Sequence, residues 1–282
     1  MPYHAGMLLS PLPRALRLAA CLAALLLLGC ASAPPAPQDW PAQLARWPQP
    51  DVLLLGEQHD ASEHQRWQED TVRRLAGQGR LAALVLEMAE LGTRTDGLPA
   101  GAAESEVRAA LHWNDAAWPW AQYGPVVMAA VAAGVPVRGG NLPRARMREA
   151  MQDTRYDTHL PPPAWQRQRT AIAEGHCGLL PEDRLAPMAR IQLARDASMA
   201  QALREARQPG HTVVLVAGLG HVQRSLGVPT WLPPDMKQKV AIAQAGKAQP
   251  AIELEADHIH LTPALPPRDH CVELRARWPG AR

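Results

Sequence analysis

Three runs of this chain are short and almost wholly apolar: Asp51-Val-Leu-Leu-Leu55, Ala82-Ala-Leu-Val-Leu-Glu-Met88 and Thr212-Val-Val-Leu-Val-Ala217. A strand with one wet face alternates polar and apolar residues. These runs do not alternate, so both faces must be buried, as in a parallel sheet covered on each side. Helical patterns separate them. Ser62-x-x-Gln65 has the form of a capping box and opens a helix carrying Trp67, Val72 and Leu75 on one face and stopping near Gly77. After a loop over 92–103, a polar helix begins near Glu104, and a further helix covers 118–133 and ends at Gly134. Val135-Pro-Val-Arg138 reads as a strand followed by Gly139, Gly140 and Asn141, and 240–243 and 257–261 read as late strands. The stretch 142–207 is helical throughout. The pattern predicts an α/β fold: a mostly parallel β-sheet with helices on both faces, its core at 48–141 and 208–282, with 142–207 as a smaller helical insertion or lid. The chain has no Phe, three Tyr and nine Trp, so Leu, Val, Ala and Met must fill the core.

The first residues read as an address. Arg14 and Arg17 precede an apolar stretch, Leu18 to Leu28, too short for a confident membrane span. It ends in Leu27-Leu28-Gly29-Cys30, which resembles a bacterial lipoprotein box, with 1–29 as signal peptide and Cys30 as the lipidated first mature residue. The alternative is an ordinary signal peptide cut near Ala31 to Ala33. No Asp follows Cys30, so a Gram-negative outer-membrane anchor facing the periplasm is expected, with 30–47 as an Ala/Pro-rich tether. Removing the leader takes away two bases and no acid, leaving 27 of each sign. That balance argues against nucleic acid as a partner, because phosphate binding needs a basic surplus. Of the four cysteines, Cys177 and Cys271 remain outside the leader and the lipobox. In an oxidising compartment a disulfide is the simplest reading, with free buried thiols or metal ligands as alternatives.

The pattern Gly-x-x-His occurs twice, each time directly after an apolar strand: Gly56-Glu57-Gln58-His59 and Gly218-Leu219-Gly220-His221. In a parallel sheet both turns emerge at the carboxyl edge, where ligands bind in open α/β folds. Glu87 closes its own strand and Asn141 lies just past another. Glu57, His59, Glu87 and His221 are therefore expected on one rim, with Asn141 nearby. A carboxylate at the end of an apolar strand is costly unless paired or ligated. Two imidazoles and a carboxylate also match the ligand chemistry of zinc and other divalent sites, so His59, Glu87 and His221 are candidate metal ligands.

These turns, together with Leu84-Val-Leu-Glu87, Tyr123-Gly-Pro-Val, Gly134-Val-Pro-Val, Asn141-Leu-Pro-Arg144, His176-Cys177-Gly178 and Gln192-Leu-Ala-Arg-Asp196 with Met199, resemble the ChaN family of haem-binding, iron-regulated lipoproteins. That family lies within the Tiki/TraB/erythromycin-esterase superfamily. The resemblance runs from about Val52 to Gly227. It implies an α/β domain plus a small helical domain, and haem held between two subunits with Tyr as axial ligand. A homodimer around haem and an outer-membrane haem receptor follow as possible partners. The wider superfamily implies a rival, a metal-dependent hydrolase using both Gly-x-x-His turns.

Haem needs an apolar slot, an axial ligand and partners for its propionates. The candidates are Tyr123, in the aromatic stretch from Trp113 to Tyr123, and Tyr156, in the helical insertion. Arg144 and Arg155 are candidate propionate partners, with Asn141 at the rim. Hydrolysis would use His59, Glu87 and His221 as acid/base or metal-binding groups, with Glu57 as general base. No Gly-x-Ser-x-Gly elbow is present, which argues against an acyl-enzyme by that route. The expected function is haem or iron binding at the periplasmic face of the outer membrane, with hydrolysis as the alternative.

Overall fold

A computed structural model describes residues 39–277; the signal segment, Cys30 and the tether up to residue 38 lie outside these residues. The helices are α1 (Trp40–Arg46), α2 (Ser62–Gly77), α3 (Glu104–Ala110), α4 (Trp120–Ala132), α5 (Met147–Gln152), α6 (Pro162–Gly175), α7 (Glu182–Ala206), α8 (Leu219–Val222), α9 (Pro250–Glu253) and α10 (His270–Arg277). The strands are β1 (Val52–Glu57), β2 (Leu81–Glu90), β3 (Val137–Asn141), β4 (Thr212–Gly218), β5 (Gln238–Ala245) and β6 (His258–Thr262). They form one six-stranded sheet in the order β3-β2-β4-β1-β5-β6, every pair parallel. The α/β reading from the apolar runs is therefore correct.

Each central strand is buried on both sides, and successive residues go to opposite layers. Leu53, Leu55, Leu84, Leu86, Val214 and Val216 pack against Trp67, Val72 and Leu75 of α2 and Tyr123, Val126 and Val127 of α4. Val52, Leu54, Ala83, Val85, Val213 and Leu215 pack against Met199, Ala200, Ala202 and Leu203 of α7. This is the physical reason the strand sequences lack alternation.

Several sequence expectations change. The tether expected over 30–47 gives way to α1, because Trp40 and Leu44 are buried in the first layer. Residues 142–207 are helical as expected, but the second half of α7 is one of the two layers covering the sheet, not part of a lid. Ser62 does not cap α2; Ala61 holds the N-cap position with no side-chain bond. The third strand starts later and runs through the glycines to Asn141. Among the described residues, no helix is long and apolar enough to cross a membrane.

Candidate functional site

The carboxyl edge of the sheet gathers the expected rim. Glu57 ends β1 and is paired in register with Gly218, which ends β4. Glu87 lies on the neighbouring β2, where the regular pairing with β3 shifts between Leu86 and Glu90. The two Gly-x-x-His turns pack against each other through their glycines. A Cβ on Gly218 would come within 2.8 Å of His59 Nε2, and one on Gly56 within 2.4 Å of Val222 Cγ2 on α8. Each turn fills the space that the other's missing side chain leaves.

Two linked networks result. In the first, Glu57 is buried and its Oε1 accepts from the Tyr123 hydroxyl at 2.7 Å and from His59 Nδ1 at 2.8 Å. Its Oε2 accepts from Gln65 Nε2 at 2.7 Å. In the second, His221 Nδ1 donates to Asp196 Oδ1 at 2.5 Å, and its Nε2 lies 3.4 Å from Glu87 Oε1. The Gln192 amide nitrogen rests against the same ring, 3.1 and 3.2 Å from its two nitrogens. Glu87 Oε2 accepts from the Gly218 amide at 2.7 Å and lies 4.0 Å from His59 Nε2, which joins the two halves. Asn141 Nδ2 donates to the Glu87 carbonyl at 2.8 Å, fastening the end of β3 to β2.

The charges follow from burial against pairing. Burial alone would keep the Glu87 carboxyl protonated, but His221, His59 and the Gly218 amide overcome it and hold Glu87 at about 2. Burial opposes a charge on His221 too, and Glu87 and Asp196 together push it up to about 10. Asp196 is raised to about 6, mainly by burial, against the pull of His221. His59 is raised, because its bond to Glu57 and the charge of Glu87 outweigh burial. Its side chain is 42% exposed, so this imidazole is the network's opening to solvent. Trp118 presents an edge to it at 4.9 Å.

Residues 43–232, about two thirds of the chain, match the family described as haem-binding uptake, Tiki superfamily, ChaN. The chain belongs to the ChaN family. Among solved structures, that of ChaN of Campylobacter jejuni, described as showing cofacial haem binding, is similar with a TM-score of 0.65 and 22% identity, covering 78% of this chain and 90% of that one. A type III effector, HopBA1, is similar at a TM-score of 0.45 and 16% identity, covering 76% of this chain and 88% of that one. No curated protein matches the chain.

The ChaN assignment makes the placement of the haem candidates decisive. Tyr123 is fully buried and its hydroxyl is committed to Glu57, so no face of a porphyrin can reach it; burial and Glu57 also push its phenol far above the ordinary range. That removes Tyr123 as an axial ligand and makes it part of the rim network. Tyr156 sits elsewhere, on a short 3-10 turn (Thr154–Thr158), packed edge-on against Trp231 at 6.0 Å. Its hydroxyl has no hydrogen-bond partner among the described residues. Arg146 and Arg155 lie close enough for their charges to favour its phenolate, against burial and Asp153, which raise its pKa. Arg144 is exposed just past Asn141; its backbone amide donates to Glu90, and its side chain has no ion pair among the described residues. Of the two tyrosine candidates Tyr156 is the one only half-buried, while Arg155 is paired with Asp153 and Arg146 with Glu149.

A divalent metal on His59, Glu87 and His221 finds no support in the arrangement. Both nitrogens of His221 face carboxylates. Among the described residues, no group of three His, Cys, Asp or Glu side chains is arranged to hold a metal ion. Among the described residues the same side chains pair with one another.

Sequence reasoning missed three members of the networks, Gln65, Gln192 and Asp196. For Asp196 a signal exists. Leu185, Ala189, Leu193, Asp196, Ala200 and Leu203 recur at helical spacing and are all buried, so an Asp interrupts an apolar stripe. Gln65 stands where a capping partner was expected, and it bonds Glu57 instead. Cys177 and Cys271 form the expected disulfide.

Proposed function

We propose that this protein is an outer-membrane lipoprotein, anchored through Cys30, that holds haem at the periplasmic face for iron acquisition. Membership of the ChaN family supports haem as the ligand. The observation that carries the assignment to a particular residue is the uncommitted, half-buried Tyr156 hydroxyl beside Arg146 and Arg155. When bound, haem supplies a Lewis-acidic iron that can take a phenolate, and the arginines answer its carboxylates. A second subunit closing on the same haem, and an outer-membrane receptor receiving it, complete the proposal. The test is a hemin titration of the chain from Ala31 onward, followed by absorption and by sedimentation. A saturable Soret shift that Tyr156→Phe abolishes and Tyr123→Phe leaves intact is the expected result. A shift that survives Tyr156→Phe overturns the ligand. The anchor is tested by labelling cells with a fatty-acid probe, which Cys30→Ala must eliminate.

A second reading, metal-free acid–base hydrolysis, is favoured by one observation: Glu57 orients His59 through Nδ1 while the ring stays open to solvent. A carboxylate holding one imidazole nitrogen leaves the other free to take a proton from water. Turnover of an ester or amide panel that vanishes in His59→Ala would support it, and no turnover at any pH would remove it.

A further inference from the structure

The sheet order carries a consequence for access to the rim. β3 and β6 are its two edge strands, and β2, β4 and β1, which bear Glu87, Gly218 and Glu57, lie between them. Because all strands are parallel, the chain leaves both edge strands at the carboxyl side. From β3 it runs into the segment that contains α6, and from β6 into α10. Those two excursions, starting at opposite limits of the sheet, meet at Cys177–Cys271, with a Cα–Cα distance of 5.5 Å. His270 Nε2 adds a bond to the Gly175 carbonyl at 3.3 Å. Beside this junction, Arg268, His270, Glu273 and Leu274 form a cleft with Asp60, the residue next to His59. The cross-link therefore closes a covalent arch over the same side of the sheet as the site.

Little else holds α10 there. None of its residues is buried, and Val272 is 58% exposed. An isolated helix of eight residues is marginal in water. Both cysteines are only half-buried.

We propose that Cys177–Cys271 is a redox-operated strap that keeps α10 across the carboxyl edge of the sheet and admits bulky ligand to the rim when a dithiol reduces it. One thiolate of the dithiol attacks a cysteine sulfur, the Cys177–Cys271 bond breaks and a mixed disulfide forms. The second thiolate of the same molecule displaces the protein sulfur. The dithiol leaves as its own disulfide, and the two cysteines gain two electrons and take up the two protons that it gave up. The strap rests on the second reading above, in which the rim takes a ligand, and not on haem at Tyr156.

The test uses the full chain, with and without dithiothreitol. Modification of His59 by diethyl pyrocarbonate and tryptic cleavage after Arg275 are both followed by mass spectrometry, with the buried His64 as internal reference. Both rates are expected to rise several-fold on reduction, while His64 stays unmodified. The double variant C177S/C271S is expected to match the reduced protein and to ignore the reductant. Equal rates in the two states, with both thiols shown to be reduced, overturn the strap. So does parallel modification of His64, which would mean that the whole body had loosened. Reduction of the unaltered chain decides the matter even if the double variant does not fold. Hemin titration reads the haem proposal separately.

Discussion

Replacing Tyr123 by Phe removes one oxygen from a ring that is otherwise held on all sides by the first core layer. That oxygen donates to Glu57 Oε1 at 2.7 Å, and Glu57 is itself buried. A hydrogen bond to a charged group contributes about 1.5–3 kcal/mol. Glu57 keeps two donors in the variant, His59 Nδ1 at 2.8 Å and Gln65 Nε2 at 2.7 Å, so its charge is not orphaned. The expected loss is therefore in the lower half of that range, about 1.5–2 kcal/mol. For a body of this size that is a fall in Tm of roughly 3–8 °C. Urea unfolding followed by circular dichroism gives the difference directly, with an unchanged slope showing that the same surface is exposed. Losing its phenol donor also turns Glu57 Oε1 wholly toward His59, so the His59 pKa, already raised, climbs further, which histidine NMR can follow. A stability loss below about 0.5 kcal/mol would refute the bond to Glu57. Loss of hemin binding would refute the separation of Tyr123 from the haem site.

Three further outcomes are expected. Asp196→Asn leaves His221 buried with one carboxylate fewer, so its pKa falls from about 10 and stability drops by about 3 kcal/mol or more, read by thermal unfolding and histidine NMR. His64 and His258 are buried and held down at about 4, chiefly by burial, whereas the unfolded chain protonates them near 6.5; stability is therefore lost as pH falls through that window, by about 2 kcal/mol per residue between pH 7 and pH 5. Asp196, held up at about 6, works in the opposite sense over the same window, so the decisive measurement is the urea midpoint of His258→Phe beside the parent, which must show a weaker pH dependence. Gly218→Ala drives a methyl against His59 Nε2, at a cost of about 1–3 kcal/mol, and the His59 resonances must move while those of His64 stay.

The sheet was legible because its strands are buried on both sides, and unbroken apolar runs such as Val213–Ala217 have few other uses. The meeting of His59, Glu87 and His221 was legible because topology alone sends parallel strand ends to one edge. What those side chains do there was not. Whether an imidazole binds a metal or a carboxylate depends on what faces its second nitrogen, and for His221 that is Asp196, arriving from a helix 25 residues earlier in the chain. Tyr123 shows the same limit. Its aromatic neighbourhood was visible, but a slot for a ligand and a packed wall have the same composition. The buried Trp40 was unreadable inside an Ala/Pro-rich approach, because one side chain in a polar stretch carries no periodicity.

β1 and β2 are made first, yet they never touch as strands: β4 lies between them and pairs with both. A nascent polypeptide that has not yet reached Thr212 thus holds two greasy ribbons separated by an empty slot and can complete neither. Until the seven residues of β4 slide in, the two ribbons have no strand to join them.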